Sequence, residues 1–242
     1  MEALEIRNLT KKYKILTAVD NLTLSIHEGE LFSLLGVNGA GKSTTIKMLS
    51  GLSKPTSGDA FILGRSIVNE SDAAKAFLAV SPQETAVAPK LSVKENLMLM
   101  CGAYGFDRKK SQEKTKKITE EFHLEKILNK KASKLSGGWQ RRLSIAMALI
   151  GEPKVLFLDE PTLGLDVIAR SELWELITAL KGEITIILTT HYMEEAEALS
   201  NRVAIMKKGK ISAIGTPDEL KARAGTEKFD EAFIRFVKEA EL

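Results

Sequence analysis

Cysteine is nearly absent: Cys101 is the only one in 242 residues. A lone thiol closes no intrachain disulfide, which fits a reducing compartment. Long apolar runs are missing as well. No stretch approaches the roughly 20 residues that span a bilayer. The opening Met1-Glu2-Ala3-Leu4-Glu5 has no basic region followed by an apolar one. The expectation is a chain without a signal peptide that does not itself cross a membrane. A strong charge of either sign is also lacking. The net charge is +3, from 35 Lys and Arg against 32 Asp and Glu. That is too mild to indicate a nucleic-acid partner, and none is expected. The basic clusters Lys109-Lys110 to Lys116-Lys117 and Lys130-Lys131-Lys134 lie in polar, helix-like stretches and read as solvated faces.

What is present is an ordinary globular composition, 44% apolar and 28% charged. The length suffices for one large domain or two small ones. Leu4–Leu9 and Leu22–Ile26 alternate apolar and polar residues and read as antiparallel, half-exposed strands. Leu31–Leu35, Val155–Leu158 and Ile184–Leu188 are continuous apolar runs, which suit parallel strands buried on both faces. Helical patterns lie between them, so the fold class is α/β with a parallel sheet. Residues from about 85 to 150 are helical in pattern and read as a lobe inserted into that core. Ser92-x-x-Glu95 marks a capping box within it. Thr216-Pro217-Asp218-Glu219 opens a further helix, and Phe229–Leu242 reads as a short amphipathic tail.

Gly36-Val37-Asn38-Gly39-Ala40-Gly41-Lys42-Ser43 follows the strand Leu31–Leu35 and opens a helix Ser43–Ser50 that stops at Gly51. This is the P-loop pattern. Its glycines let the backbone wrap around phosphate oxygens and aim N–H groups at them, and the helix N-terminus adds its positive dipole. Lys42 is placed for the β- and γ-phosphates and Ser43 for Mg²⁺. A plain glycine-rich turn with a helix cap would not need the strand before it and the helix after it.

Val155 to Leu158 ends in Asp159-Glu160-Pro161. Acids at the end of a buried parallel strand lie where open α/β sheets bind ligands. Asp159 would face Mg²⁺, and Glu160 would polarise an attacking water. Leu135-Ser136-Gly137-Gly138 precedes a helix Trp139–Ile150 and offers a second set of bare N–H groups. It has no lysine or metal ligand of its own. It would complete a phosphate site that another surface already holds, or it is an ordinary serine cap.

The order of these elements resembles the ABC ATPase family from about residue 3 to residue 220. The P-loop is followed by Gln83 at a strand end, then Leu135-Ser136-Gly137-Gly138, Leu158-Asp159-Glu160-Pro161, Leu163-Gly164-Leu165-Asp166 and His191 after a strand. The resemblance implies a P-loop NTPase core with an N-terminal antiparallel β subdomain and an inserted helical subdomain. It divides the chain into an ATPase domain, 1–220, and a C-terminal helical tail, 221–242. It also implies roles. Tyr13 resembles the aromatic that stacks on adenine. Gly36, Asn38, Gly39, Ala40, Gly41, Lys42, Ser43 and Thr44 would hold ATP phosphates. Ser43, Gln83 and Asp159 would hold Mg²⁺. Glu160 resembles the general base, Gln83 the residue that touches the attacking water, and His191 the one that contacts the γ-phosphate. Asp166 resembles the aspartate that links two subunits. Ser136, Gly137 and Gly138 would close over the nucleotide of a second copy, or of a paralogous ATPase subunit, in a head-to-tail dimer. His27 and His123 match no family role and read as structural or exposed.

One position departs from the family. The fifth signature residue is usually glutamine, and here it is Trp139, with Gln140 one place late. The phosphate-facing residues are intact, so catalysis is expected to survive. Trp139 would pack across the dimer face or cover the helical lobe. Thr189 to Glu197 and the tail Phe229-Asp230-Glu231-Ala232-Phe233 look like the branch serving drug, lipid and ion exporters. That implies a separate multispanning membrane subunit and a cytoplasmic position on the inner face of the membrane. The alternative is a soluble ABC ATPase acting in cofactor assembly or on ribosomes or nucleic acid.

Overall fold

The computed structural model describes residues 1–239. The chain opens with strands β1 (Glu2–Tyr13) and β2 (Leu16–His27), an antiparallel hairpin broken by several register shifts. Strand β3 (Leu31–Leu35) runs into helix α1 (Lys42–Leu49). Then come β4 (Ser57–Ile62), β5 (Arg65–Ser66), helix α2 (Ser71–Lys75) and β6 (Leu78–Ser81). The next stretch holds helices α3 (Val93–Ala103), α4 (Arg108–Glu121) and α5 (Gly137–Leu149). Strand β7 (Val155–Asp159), helix α6 (Val167–Ala179), β8 (Thr185–Thr190) and α7 (Met193–Leu199) return to the core. The described chain closes with β9 (Arg202–Lys207), β10 (Lys210–Gly215), α8 (Pro217–Ala224) and α9 (Phe229–Glu239).

Two sheets result. One is four-stranded in the order β2-β1-β4-β5, and the other six-stranded in the order β10-β9-β3-β8-β7-β6. The second is parallel except for its edge strand β10. All five residues of β3 and of β7, and all six of β8, are buried, as continuous apolar strands covered on both faces should be. The register pairs Leu35 with Thr190 and Asp159 with Thr189, so β3, β7 and β8 deliver their C-terminal ends to one edge. That edge is where open α/β sheets carry their ligands.

The antiparallel pair and the parallel core match the expectation, with longer strands than the patterns marked. Strands β4, β5 and β10 carry no strong pattern of their own, whereas β9 holds the buried apolar run Val203–Met206, which the expectation leaves out. Between β6 and β7 the chain forms helices joined by loops and two short 3-10 turns, with one isolated bridge pairing Ser92 with Lys131. The capping box at Ser92 forms, with its hydroxyl accepting from the Glu95 amide at 3.2 Å and Glu95 accepting from the Ser92 amide at 2.7 Å. Thr216 and Glu219 form a second one. The basic residues of α4 make i,i+4 ion pairs, Lys116 with Glu120 and Lys117 with Glu121, on an exposed face. His27 and His123 are both exposed.

Apolar residues recur in α9 at positions 229, 232, 233 and 236. This helical period turns Phe229, Ala232, Phe233 and Phe236 into one cluster with Leu35, Val203, Ile205 and Leu220. The tail helix is thus sealed onto the back of β3 and β9, and residue 220, the expected domain boundary, falls inside α8 within the same cluster. The last three residues of the expected tail, 240–242, lie outside the described residues.

Candidate functional site

The turn between β3 and α1 is held open by glycines. A Cβ on Gly36 would stand 2.5 Å from the Met206 carbonyl oxygen, and one on Gly41 2.5 Å from that of Ala18. Gly41 also has φ +107° and caps α1 with no side chain, so the helix N-terminus keeps its dipole and N–H groups for a ligand. The turn is braced from behind. The Gly209 amide donates to the Ala40 carbonyl at 2.9 Å, and Asp20 donates to the Gly209 carbonyl at 2.9 Å.

Lys42 is buried at the mouth of this turn. Its ammonium donates to the carbonyls of Gly36 at 2.7 Å and Val37 at 3.3 Å, and lies 3.6 Å from Glu160 Oε1. Burial lowers its pKa, and the carboxylates of Glu160 and Asp159 oppose that effect. Ser43 Oγ donates to Asp159 Oδ1 at 3.1 Å. Thr189 Oγ1 makes a very short hydrogen bond to the same oxygen. Glu160 sits at φ +47°, a left-handed conformation uncommon outside glycine. Its amide donates to the Thr189 carbonyl at 3.0 Å, a backbone tie that holds it there. Glu160 Oε2 lies 3.3 Å from His191 Nδ1, a close approach without hydrogen-bond alignment, since Nδ1 is buried and makes no hydrogen bond.

Lys42, Ser43, Glu160 and His191 line one cavity of about 800 Å³, whereas Gly36 does not line it and Asp159 is joined to it through Ser43. Its wall runs from Asn38 through Thr44, with Gln83, Glu160, Leu163, His191 and Lys208. Leu16, Thr17 and Ala18 close one side, and no sequence pattern had marked them, nor Lys208. Tyr13 does not line it. The ring is 45% exposed, with the Lys11 ammonium 5.0 Å from its centroid, but its register partner across the hairpin is the wall residue Leu16.

Ser136, Gly137, Gly138 and Asp166 lie away from this cavity. Ser136 and Gly137 are exposed at the start of α5, and the Ser136 side chain makes no capping bond. With Gly138 they lie away from the phosphate cavity: Ser136 and Gly138 line a separate small cleft beside Trp139, Arg142 and Glu172. Asp166 is exposed and caps α6, accepting from the Ala169 amide at 2.9 Å. Trp139 is half-buried under its own chain. The Arg142 guanidinium lies 4.4 Å from its ring centroid and donates to Glu172 at 2.8 Å.

Residues 19–163 match the ABC transporter family. The chain belongs to that family. ABC transporter cassettes bind and hydrolyse ATP, and here the P-loop residues, Glu160 and His191 line one cavity. The probable multidrug ABC transporter ATP-binding protein YbhF of Escherichia coli is 39% identical over 241 residues, 97% of this chain and 41% of that protein. The human phospholipid-transporting ATPase ABCA3 is 41% identical over 226 residues, 92% of this chain and 13% of that one. This chain therefore spans well under half the length of these relatives. A solved ATP-binding subunit of an ABC transporter superposes with a TM-score of 0.85 at 30% identity, covering 97% of this chain and 99% of that one. The cassette MJ0796, solved as a dimer in a post-hydrolysis state with ADP and Pi, superposes with a TM-score of 0.79 at 28% identity, covering 88% and 98%. Among the described residues, no helix is long and apolar enough to cross a membrane.

Proposed function

We propose that this chain hydrolyses ATP at the cavity between β3, β7 and β8, working as a head-to-tail pair that drives an export-type ABC transporter. One observation carries the pairing. The Ser136–Gly138 turn presents an uncapped serine and a helix N-terminus, yet lies apart from the cavity of its own chain. A phosphate that needs both surfaces has to find the second one on another copy. The relatives' names, multidrug and phospholipid transporters, support the export reading. A separate membrane-embedded partner and a cytoplasmic position on the inner membrane face follow from it.

In this reading the backbone N–H groups from Gly39 to Thr44 hold the phosphates. Lys42 exchanges its carbonyl partners for phosphate oxygens. The hydroxyl of Ser43, the carboxylate of Asp159 and the amide oxygen of Gln83 are hard oxygen donors suited to Mg²⁺. The ion would neutralise phosphate charge there. Glu160 takes the proton of the attacking water, and its ties to Thr189 fix the carboxylate for that step. His191, lining the same cavity beside Glu160, contacts the γ-phosphate. Tyr13, paired with Leu16 at the open side, packs on the adenine. Asp166 and the adjoining exposed Val167 and Ile168 meet the second copy.

The test is complementation. Lys42→Ala destroys the cavity and Ser136→Arg destroys the remote turn, so neither variant alone turns over ATP. Mixed together, they form one intact composite site per mixed pair, and partial turnover returns. If the mixture stays as inactive as its parts while both fold and Ser136→Arg still binds ATP, the head-to-tail reading is wrong.

A further inference from the structure

Arg141 is buried, 5% exposed, on the second turn of α5. Its guanidinium has no carboxylate in hydrogen-bond contact. Nη1 donates to the Pro82 carbonyl at 2.5 Å, and Nη2 makes a still shorter bond to the carbonyl of Gln83. Nε is buried with no partner. Burying an arginine against two neutral carbonyls, with one N–H unsatisfied, is costly, and burial lowers its pKa despite the field of Asp159. Packing alone gives no reason for it, because an apolar side chain of that length would fill the space more cheaply. What the guanidinium does provide is a rigid planar fork with two fixed donors.

The fork acts on the segment that carries Gln83 into the phosphate cavity. A second polar link, Ser81 Oγ to Ser144 Oγ at 3.1 Å, ties the end of β6 to α5 one turn further on. The far end of the same segment is riveted by the buried Asn96. Its Oδ1 accepts from the Ala88 amide at 2.7 Å, and its Nδ2 donates to the Ala88 carbonyl at 3.2 Å. The Gln83 backbone therefore follows α5, while the residue lines the phosphate cavity. The N-terminus of α5 is the Ser136–Gly138 turn.

We infer that Arg141 is a positioning residue for Gln83, coupling the Ser136–Gly138 turn at the head of α5 to the glutamine of this copy's own ATP site. The inference rests on the ATPase reading above. A phosphate from a second copy that seats on the turn shifts or stiffens α5. Arg141 then carries that change to Gln83, so the two sites of a pair communicate through one guanidinium.

The experiment uses the full chain with Arg141→Met, Arg141→Lys, Gln83→Ala and the double variant Gln83→Ala/Arg141→Met. Hydrogen exchange of the amides from 83 to 87 is followed with and without Mg²⁺-ATP, beside turnover, ATP affinity and melting temperature. Arg141→Met is expected to speed exchange in that segment alone. It should lower kcat by about 10- to 100-fold, the scale set by misplacing a reacting-site group, while ATP affinity changes little. Arg141→Lys, with a single ammonium for two carbonyls, falls between. In the double variant the two losses do not multiply, because both act through one side chain. Unchanged exchange at 83–87 overturns the inference. So does multiplication of the two losses, or a faster exchange spread equally over β6 and the P-loop, which would mark Arg141 as merely structural. An absence of turnover in the unmodified chain overturns the ATPase reading instead, and the exchange data still decide whether Arg141 holds Gln83.

Discussion

The Lys42 ammonium lies 3.6 Å from Glu160 Oε1, with both side chains nine-tenths or more shielded from water. The lysine that must bind phosphate and the carboxylate that must activate water are thus each other's partners. A γ-phosphate entering the cavity competes with Glu160 for Lys42. Glu160→Gln removes that competitor along with the base. ATP affinity should rise about fivefold, as expected for losing roughly 1 kcal/mol of competing interaction. Turnover should fall by about 10²- to 10⁴-fold. Isothermal titration and gel filtration in excess ATP check both, and the variant should elute as a stable pair. Unchanged affinity would show that the pair does not oppose binding.

Gly36→Ala tests the backbone rather than a side chain. The added Cβ meets the Met206 carbonyl oxygen at 2.5 Å and the Ala40 Cβ at 2.9 Å. Neither is a flexible chain end, so β3 and β9 must part. The expected cost is about 1–3 kcal/mol of stability, with ATP binding lost because the turn is displaced. Thermal melts and nucleotide titration read this directly, and a variant that melts normally and binds ATP would refute the close approach.

The site was legible in the sequence where one strand ran into one motif. The P-loop follows five buried residues of β3, and Asp159-Glu160 ends five of β7, so chain neighbours became site neighbours. Leu16, Thr17 and Ala18 gave no such signal. They reach the cavity only because the β1–β2 hairpin folds over α1, a contact between residues more than 20 positions apart. Strand β4, Ser57–Ile62, begins with Ser-Gly-Asp, whose low strand propensity is overridden by pairing with β1. Arg141 hid in a helix whose neighbouring positions 141 and 142 are both buried arginines, where pattern reading expects a solvated face.

A buried acid behind the site should give a pH signature. Glu195 is fully buried on α7, accepting from Thr162 Oγ1 at 2.8 Å and from Trp174 Nε1 at 3.1 Å, with Oε2 unpartnered. Burial raises its pKa, and the nearby Thr190 hydroxyl with the hydrogen bonds from Thr162 and Trp174 only partly offsets this. A raised folded-state pKa means stability that is fully present below about 4.5, the ordinary value. That stability is lost as pH rises through the folded value. Glu195→Gln keeps an acceptor oxygen and carries no charge. It should melt about 2–4 °C higher than the parent at pH 8, and the advantage should vanish as pH falls towards 4.5. Calorimetry across that range checks the sign, and a variant less stable at pH 8 would show that the ionised form is favoured.

Trp139 stands where the family usually carries glutamine, and its ring is covered by Arg142 of its own chain. Trp139 also packs on the apolar cluster of the helical lobe, so Trp139→Gln should cost both that burial and the stacked contact, about 1–3 kcal/mol, and leave turnover within about threefold. A steady-state assay beside a melting curve separates the two effects. A large loss of turnover with no loss of stability would place the indole against the second copy instead.

The fastening of Gln83 by Arg141 and of Ala88 by Asn96 leaves four residues, Glu84 to Val87, with neither anchor upon them. Both rivets stand on helices of the segment between β6 and β7, Arg141 on α5 and Asn96 on α3. Glu84 to Val87 is therefore slack held within one lobe: these four residues can change shape while the lobe moves as a unit and both fastened ends stay closed.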